Sequence, residues 1–182
     1  MTQHDMAEPE RIAWQGKWVV AKTRGRWEYV SRARSIRAAV ILAVEDGHVL
    51  LVEQFRTPLQ RACIELPAGL IGDGEEAEGE HAMDAAGREL EEETGYRAAE
   101  LTDAGEFFSS PGLVTESFTL VIAKGLTRVG DGGGVHGEDI TVHRVPLADI
   151  EDFVARQRAA GKAIDVRVLM LLAGGILARA GG

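Results

Sequence analysis

The stretch Gly74-Glu-Glu-Ala-Glu-Gly-Glu80-His-Ala-Met-Asp-Ala-Ala-Gly-Arg88-Glu89-Leu90-Glu91-Glu92-Glu93-Thr94-Gly95-Tyr96 lies near the middle of a 182-residue chain. From about Glu78 to Thr94 its pattern is helical, because Ala82, Met83, Ala86 and Leu90 recur at helical spacing and form one apolar stripe. Gly95 suits the left-handed position that ends a helix. Glu89, Glu92 and Glu93 stand at i, i+3 and i+4, so a helix puts them on one face, while Glu91 points elsewhere. Like charges at that spacing cost roughly 0.2–0.5 kcal/mol per pair, which a solvated face tolerates. A second reading comes from the residues just before. Gly69 to Gly74 is a glycine-rich turn that lets backbone approach a ligand closely. Hard cations such as Mg²⁺ take oxygen ligands, often carboxylates together with substrate phosphates. Three carboxylates on one rigid face beside such a turn supply those oxygens.

Working outward, residues 17–32 read as a hairpin in which Trp18-Val-Val-Ala and Trp27-Glu-Tyr-Val flank a Thr23-Arg-Gly-Arg turn. Residues 36–44 and 49–55 are β-rich runs around Glu45-Asp46-Gly47-His48, and Asp-Gly between two such runs signals a second hairpin. Pro67-Ala68-Gly69 breaks the chain. Beyond the helix, strands are expected near 104–108, 117–123 and 140–145, with a glycine-rich loop at 130–137 and helices near 147–160 and 165–179. Strands dominate the first half, with one central and two late helices, which is an α+β layout. The division expected is a tail and hairpin over 1–35 and one domain over 36–182.

Composition narrows the possibilities. Apolar residues make up 45% and charged residues 27%, an ordinary globular balance. A net charge of −9 argues against a nucleic-acid partner, whose phosphates need a basic face. An acidic protein still handles an anionic substrate when divalent cations stand between the two. The first ten residues read as a loose tail without the basic start and apolar run of a signal peptide. The longest apolar run, Val168 to Ala178, falls short of the ~20 residues a membrane span needs, so no membrane association is expected. Cys63 is the single cysteine, read as a small core residue. No disulfide or cysteine-rich zinc site can form within one chain, and a reduced cytoplasmic setting follows as the simple expectation.

Residues 74–96 resemble the Nudix box, whose pattern is GX5EX7REUXEEXGU. Gly74, Glu80, Arg88-Glu89-Leu90, Glu92-Glu93 and Gly95-Tyr96 keep every spacing, and Tyr96 in the final apolar slot is the mildest departure. The resemblance implies a Nudix fold, an α/β/α sandwich with a mixed sheet and here a small N-terminal hairpin. It implies that Glu89, Glu92, Glu93 and the Ala68 carbonyl bind Mg²⁺, with Mn²⁺ as the alternative ion. Arg88 is the residue expected to orient the carboxylates, and Glu80 a helper nearby.

Within that family the surrounding residues resemble ADP-ribose pyrophosphatases. They are Glu53-Gln54-Phe55-Arg56, Glu65-Leu66-Pro67-Ala68-Gly69, Ser109-Ser110-Pro111-Gly112, and Glu138-Asp139-Ile140 followed by Val142-His143. The likeness runs from about residue 28 to 178. It implies hydrolysis of a nucleoside-diphosphate sugar, ADP-ribose first, with GDP-mannose or another nucleotide sugar as the alternative. It also implies that Arg56 and Pro111 meet substrate and that Glu116 faces the cations. Trp27 and Tyr29 are candidates to stack on a base, since an aromatic face accepts any nucleobase, or to serve the core or a dimer interface. Arg32 is a candidate to reach across a homodimer. Glu138 is the candidate general base. Similar enzymes often carry a second glutamate two residues earlier, where this chain has His136, so a box glutamate such as Glu92 stays open for that role. A silent nucleotide-binding module and a structural oligomer with an acidic ion-binding face remain the rivals from other classes. Gly132-Gly-Gly-Val-His-Gly137 matches the dinucleotide fingerprint GxGxxG, but a strand rather than a helix is expected after it, which rules that function out.

Overall fold

A computed structural model describes residues 8–33, 37–72, 81–135 and 137–181, so Gly74, Glu80 and His136 lie outside the described residues. β1 (Arg11–Gln15), β2 (Val19–Arg24) and β3 (Trp27–Arg32) form an antiparallel three-stranded sheet in that order. The expected hairpin is β2–β3, turning at Gly25, where φ is +56°. The strand β1 falls between the ten-residue tail and the expected hairpin, where no element is expected. All five of its residues are exposed, so no buried face marks it in the sequence.

The main sheet contains β4 (Ala38–Glu45), β5 (His48–Arg56), β6 (Arg61–Glu65), β7 (Ala68–Leu70), β8 (Tyr96–Phe108), β9 (Ser117–Arg128), β10 (Thr141–Pro146) and β11 (Ala163–Ile164). Its strand order is β11-β6-β5-β4-β9-β8, with β10 on β5 and β7 on β4. It is mixed, because β4 runs parallel to β9 and β11 parallel to β6, while the other pairs are antiparallel. Asp46 and Gly47 sit at φ +49° and +70°, the left-handed pair that a two-residue β4–β5 turn requires.

β4 shows why three layers form. Ala39, Ile41 and Ala43 pack with Leu50, Val121 and Ala123 against Ala86 and Leu90 of α1 (Ala82–Thr94). Val40, on the alternate face, joins Val49, Leu51, Ile64 and Leu66 against α2 (Ile150–Ala159) and α3 (Leu169–Gly181) through Phe153, Val154 and Leu172. A strand apolar on both faces belongs in the middle of a sandwich. The late helices are shorter than expected because a 3-10 turn precedes each, at Leu147–Asp149 and Val166–Val168.

Two strands differ from expectation. β6 follows the Thr57–Leu59 turn in a segment that carries no strand signal. β8 begins at Tyr96, directly after the Gly95 cap, rather than near 104. It is an edge strand, mostly exposed and poor in β-formers. A register shift between Asp103 and Glu106 interrupts it, where Gly105 takes φ +104° and donates its N–H to Asp103 Oδ1 at 2.7 Å. Among the described residues no helix is long and apolar enough to cross a membrane.

Candidate active site

α1 holds the acidic face against β7. Glu93 is 6% exposed, and its Oε2 accepts the Ala68 N–H at 3.0 Å. Burial, together with the charges of Glu89 and Glu138, pushes its carboxyl up to about 8, although the Ala68 N–H and Arg56 oppose the shift. Glu89 is raised as well, chiefly by burial, with Arg88 opposing and Glu92 and Glu138 adding to the rise. Arg88 Nη1 donates to Glu89 Oε1 at 2.8 Å and to Glu92 Oε2 at 3.1 Å. Arg88 thus bridges two of the three box glutamates.

A cleft of about 610 Å³ opens over this face. Ala68, Glu89, Glu93, Glu116, Glu138, Arg32 and Arg56 all line it. Glu92 does not, and Arg88 joins it to Glu89. Trp27, Tyr29 and Pro111 also lie outside the lining, although Ser109 of the Ser-Pro-Gly turn is in it. Trp27 is exposed, and the Tyr29 hydroxyl donates to Glu10 at 2.6 Å. The turn still helps shape the site, because Val30 N donates to Leu113 O at 2.9 Å and Thr115 N to Val30 O at 3.0 Å, pinning 113–115 beside β3. Arg32, three residues before the end of the expected N-terminal segment, reaches the cleft of its own chain. There Nε donates to Glu116 Oε1 at 2.7 Å.

Glu65, Asp165 and Arg167 also line the cleft, and of these Asp165 and Arg167 are not singled out by the sequence. Glu65, almost wholly buried, accepts both Arg56 Nε at 2.6 Å and Arg56 Nη2 at 2.8 Å, and also Arg167 Nη2 at 3.4 Å. Asp165 accepts Arg167 Nε at 2.6 Å and Nη2 at 2.9 Å. Burial opposes ionisation of Asp165, but the Arg167 hydrogen bonds and charge hold it below the usual carboxylate range. Asp165 also caps the 3-10 turn that follows it, accepting the Arg167 N–H at 2.8 Å. Cys63 is buried, and desolvation pushes its thiol up to about 12, so it is no nucleophile.

The residues present suit a hard cation. Glu93 is buried and Glu89 half-buried, both are raised by desolvation and by neighbouring carboxylates, and a divalent ion would offset both effects. Every donor in the set is an oxygen. Among the described residues no three acidic, histidine or cysteine groups already converge on one point. Of the three box glutamates the cleft offers Glu89 and Glu93 directly, with Glu92 tied to Glu89 by a shared guanidinium.

A NUDIX domain family model matches residues 33–164, and the chain belongs to the Nudix family. It is 43% identical over 89 residues to an ADP-ribose pyrophosphatase of Bacillus subtilis, covering 49% of this chain and 45% of that one, so the match spans about half of that relative. It is 33% identical over 144 residues to a GDP-mannose pyrophosphatase of Cronobacter sakazakii, covering 74% of this chain and 70% of that one. The fold matches the crystal structure of an ADP compounds hydrolase with a TM-score of 0.68 at 21% identity, over 94% of this chain and 93% of the other. The α+β Nudix fold is thus the architecture of this chain.

Proposed function

We propose that this chain hydrolyses the diphosphate of a nucleoside-diphosphate sugar in a reaction dependent on Mg²⁺, with ADP-ribose giving AMP and ribose 5-phosphate. The observation that carries this reading is one cleft lined both by the carboxylates of Glu89, Glu93 and Glu138 and by the guanidinium groups of Arg56 and Arg167. That lining suits a polyanion neutralised by cations on the carboxylates and gripped by the guanidinium groups.

Mg²⁺ bound by Glu89 and Glu93, with Glu92 beside them, would offset the diphosphate charge and lower the pKa of a coordinated water. Arg88 keeps Glu89 and Glu92 in register. Glu65 fixes the Arg56 guanidinium with two hydrogen bonds, so that group meets the substrate already oriented. Glu138, exposed at the cleft, has its Oε2 held by the Val135 N–H at 3.2 Å and takes the proton from the attacking water. Water adds at one phosphorus in line, the bridging P–O bond breaks, and one phosphate leaves with that oxygen. No covalent intermediate is required.

GDP-mannose is the second substrate reading, favoured by the likeness to the Cronobacter enzyme over most of both chains. A homodimer is the assembly proposed, because the small N-terminal sheet leaves Ile12, Trp14, Trp18 and Trp27 exposed. A panel of nucleotide sugars assayed for product release, with Mg²⁺ and with chelator, tests the activity. Turnover of none of them, or turnover unaffected by chelator, would sink it.

A further inference from the structure

A helix end leaves its last carbonyls without partners inside the helix. At the end of α1 the Gly95 N–H covers Glu91 O at 2.9 Å. The next two carbonyls are covered from far along the chain. Gly133 N–H donates to Glu93 O at 2.9 Å, and Gly134 N–H donates to Glu92 O at 3.0 Å. Val129 and Gly130 both donate to Gly95 O, at 2.8 and 3.1 Å. The segment then closes on itself, with Ile140 N–H on Gly133 O at 3.3 Å and Glu138 N–H on Val135 O at 3.0 Å.

Glycines carry this path through positive φ, and at two of them a Cβ would also meet close neighbours. Gly132 and Gly134 sit at φ +68° and +80°, in the left-handed region. A Cβ on Gly132 would stand 2.5 Å from the Thr94 carbonyl carbon and 2.7 Å from Glu93 O, both backbone atoms that cannot yield cheaply. A Cβ on Gly134 would stand 2.6 Å from Glu138 Oε2 and 2.8 Å from its Cβ. This is the glycine run that mimics a dinucleotide fingerprint in sequence.

We propose that Gly132 and Gly134 are positioning residues for the reaction. They seat the segment bearing Glu138 on the backbone of the same helical turn that carries Glu92 and Glu93. The proton acceptor and the cation-holding carboxylates are thereby fixed to one rigid body. The proposal rests on Glu138 as the general base.

The test is a cycle of steady-state kcat and KM on ADP-ribose with Mg²⁺, for the natural chain, Gly132→Ala, Glu138→Gln and the double variant. Misplacing a proton acceptor by about 1 Å lowers kcat roughly ten- to a hundredfold. That loss is expected in Gly132→Ala, with KM and half-saturating Mg²⁺ within about twofold of the natural values. Adding Gly132→Ala to Glu138→Gln is expected to cost nothing further, because the glycine acts through that glutamate. Natural kcat in Gly132→Ala, or a loss that multiplies in full with that of Glu138→Gln, overturns the proposal while leaving the base assignment standing. Full turnover in Glu138→Gln overturns the base assignment and this proposal with it. If Gly132→Ala does not fold, Gly134→Ala carries the same cycle, since its Cβ would meet the Glu138 and Ile140 side chains rather than the helix backbone.

Discussion

The carboxyl group of Glu89 lies so close over Gly69 that a Cβ at that glycine would overlap Glu89 Cγ, Cδ and Oε1. The absence of a side chain on β7 is what lets the carboxylate lie flat against the strand. Gly69→Ala must push Glu89 aside, and because the obstacle is a side chain rather than backbone, the fold is expected to survive. We expect kcat to fall about a hundredfold, the usual effect of a displaced reacting group, with half-saturating Mg²⁺ raised. Kinetics at graded Mg²⁺ check this, and an unchanged Mg²⁺ requirement would show that Glu89 does not hold the ion.

The raised carboxyl of Glu93 makes the cation-free protein sensitive to alkali. Its pKa is about 8 in the folded chain against an ordinary value of 4.5, so between those two values the folded state binds more protons than the unfolded one. Stability therefore falls as pH rises through that window, by up to a few kcal/mol at about 1.4 kcal/mol for each pH unit crossed. Glu89, also raised, acts in the same direction. In chelator, the melting temperature is expected to drop from about pH 5 to about pH 8, and Glu93→Gln to flatten that drop while losing most turnover. A melting curve that rises over the same interval would contradict the assignment.

Glu65 joins two arginines of the cleft, accepting two hydrogen bonds from Arg56 and one from Arg167. Glu65→Gln leaves two guanidinium groups short of a buried negative partner. A loss of about 2–3 kcal/mol is expected, the range for hydrogen bonds to charged groups at a buried site. Urea titration measures it. KM should rise along with the loss of stability, because Arg56 is no longer held, and a rise in neither quantity would remove Glu65 from the site.

Two chains per particle are expected by static light scattering. Trp14→Lys in β1 together with Trp18→Lys in the bend after it, both exposed, should shift the mass to one chain without lowering the melting temperature of the main domain. A single-chain mass in the unmodified protein would dispose of the dimer.

The parts of the molecule written in local pattern were legible in advance. The α1 stripe Met83, Ala86 and Leu90 does pack on the sheet, and Asp46-Gly47 does turn a hairpin. β1 and the first half of β8 were hidden, because exposed strands carry no alternation of buried and exposed residues to read. In the cleft, one turn of helix announces Glu89 and Glu93, and Arg88 with them. The meeting of Glu65 with Asp165 and Arg167 stayed invisible because the two stretches are about a hundred positions apart and are brought together by the parallel pairing of β6 with β11. The outward turn of Glu92 was equally beyond reach, since helical spacing fixes a face to within a turn but not which rotamer a neighbouring arginine selects.

The parallel ladder of β4 on β9 also bears on synthesis. Ala38–Ala43 finds its partners in Phe118–Ala123, and the first of these strands leaves the ribosome well ahead of the second. At ~5–20 residues per second, the intervening stretch of about 80 residues takes roughly 4–16 s to emerge. During that time the strand bearing Val40 and Ile41 has one face of its future sheet missing, and the nascent chain presents a sticky, β-rich segment to whatever lies nearby. Closing so long a loop adds little to the equilibrium cost but slows the search, so the yield of this protein in cells should depend on what shelters residues 38–43 during those seconds.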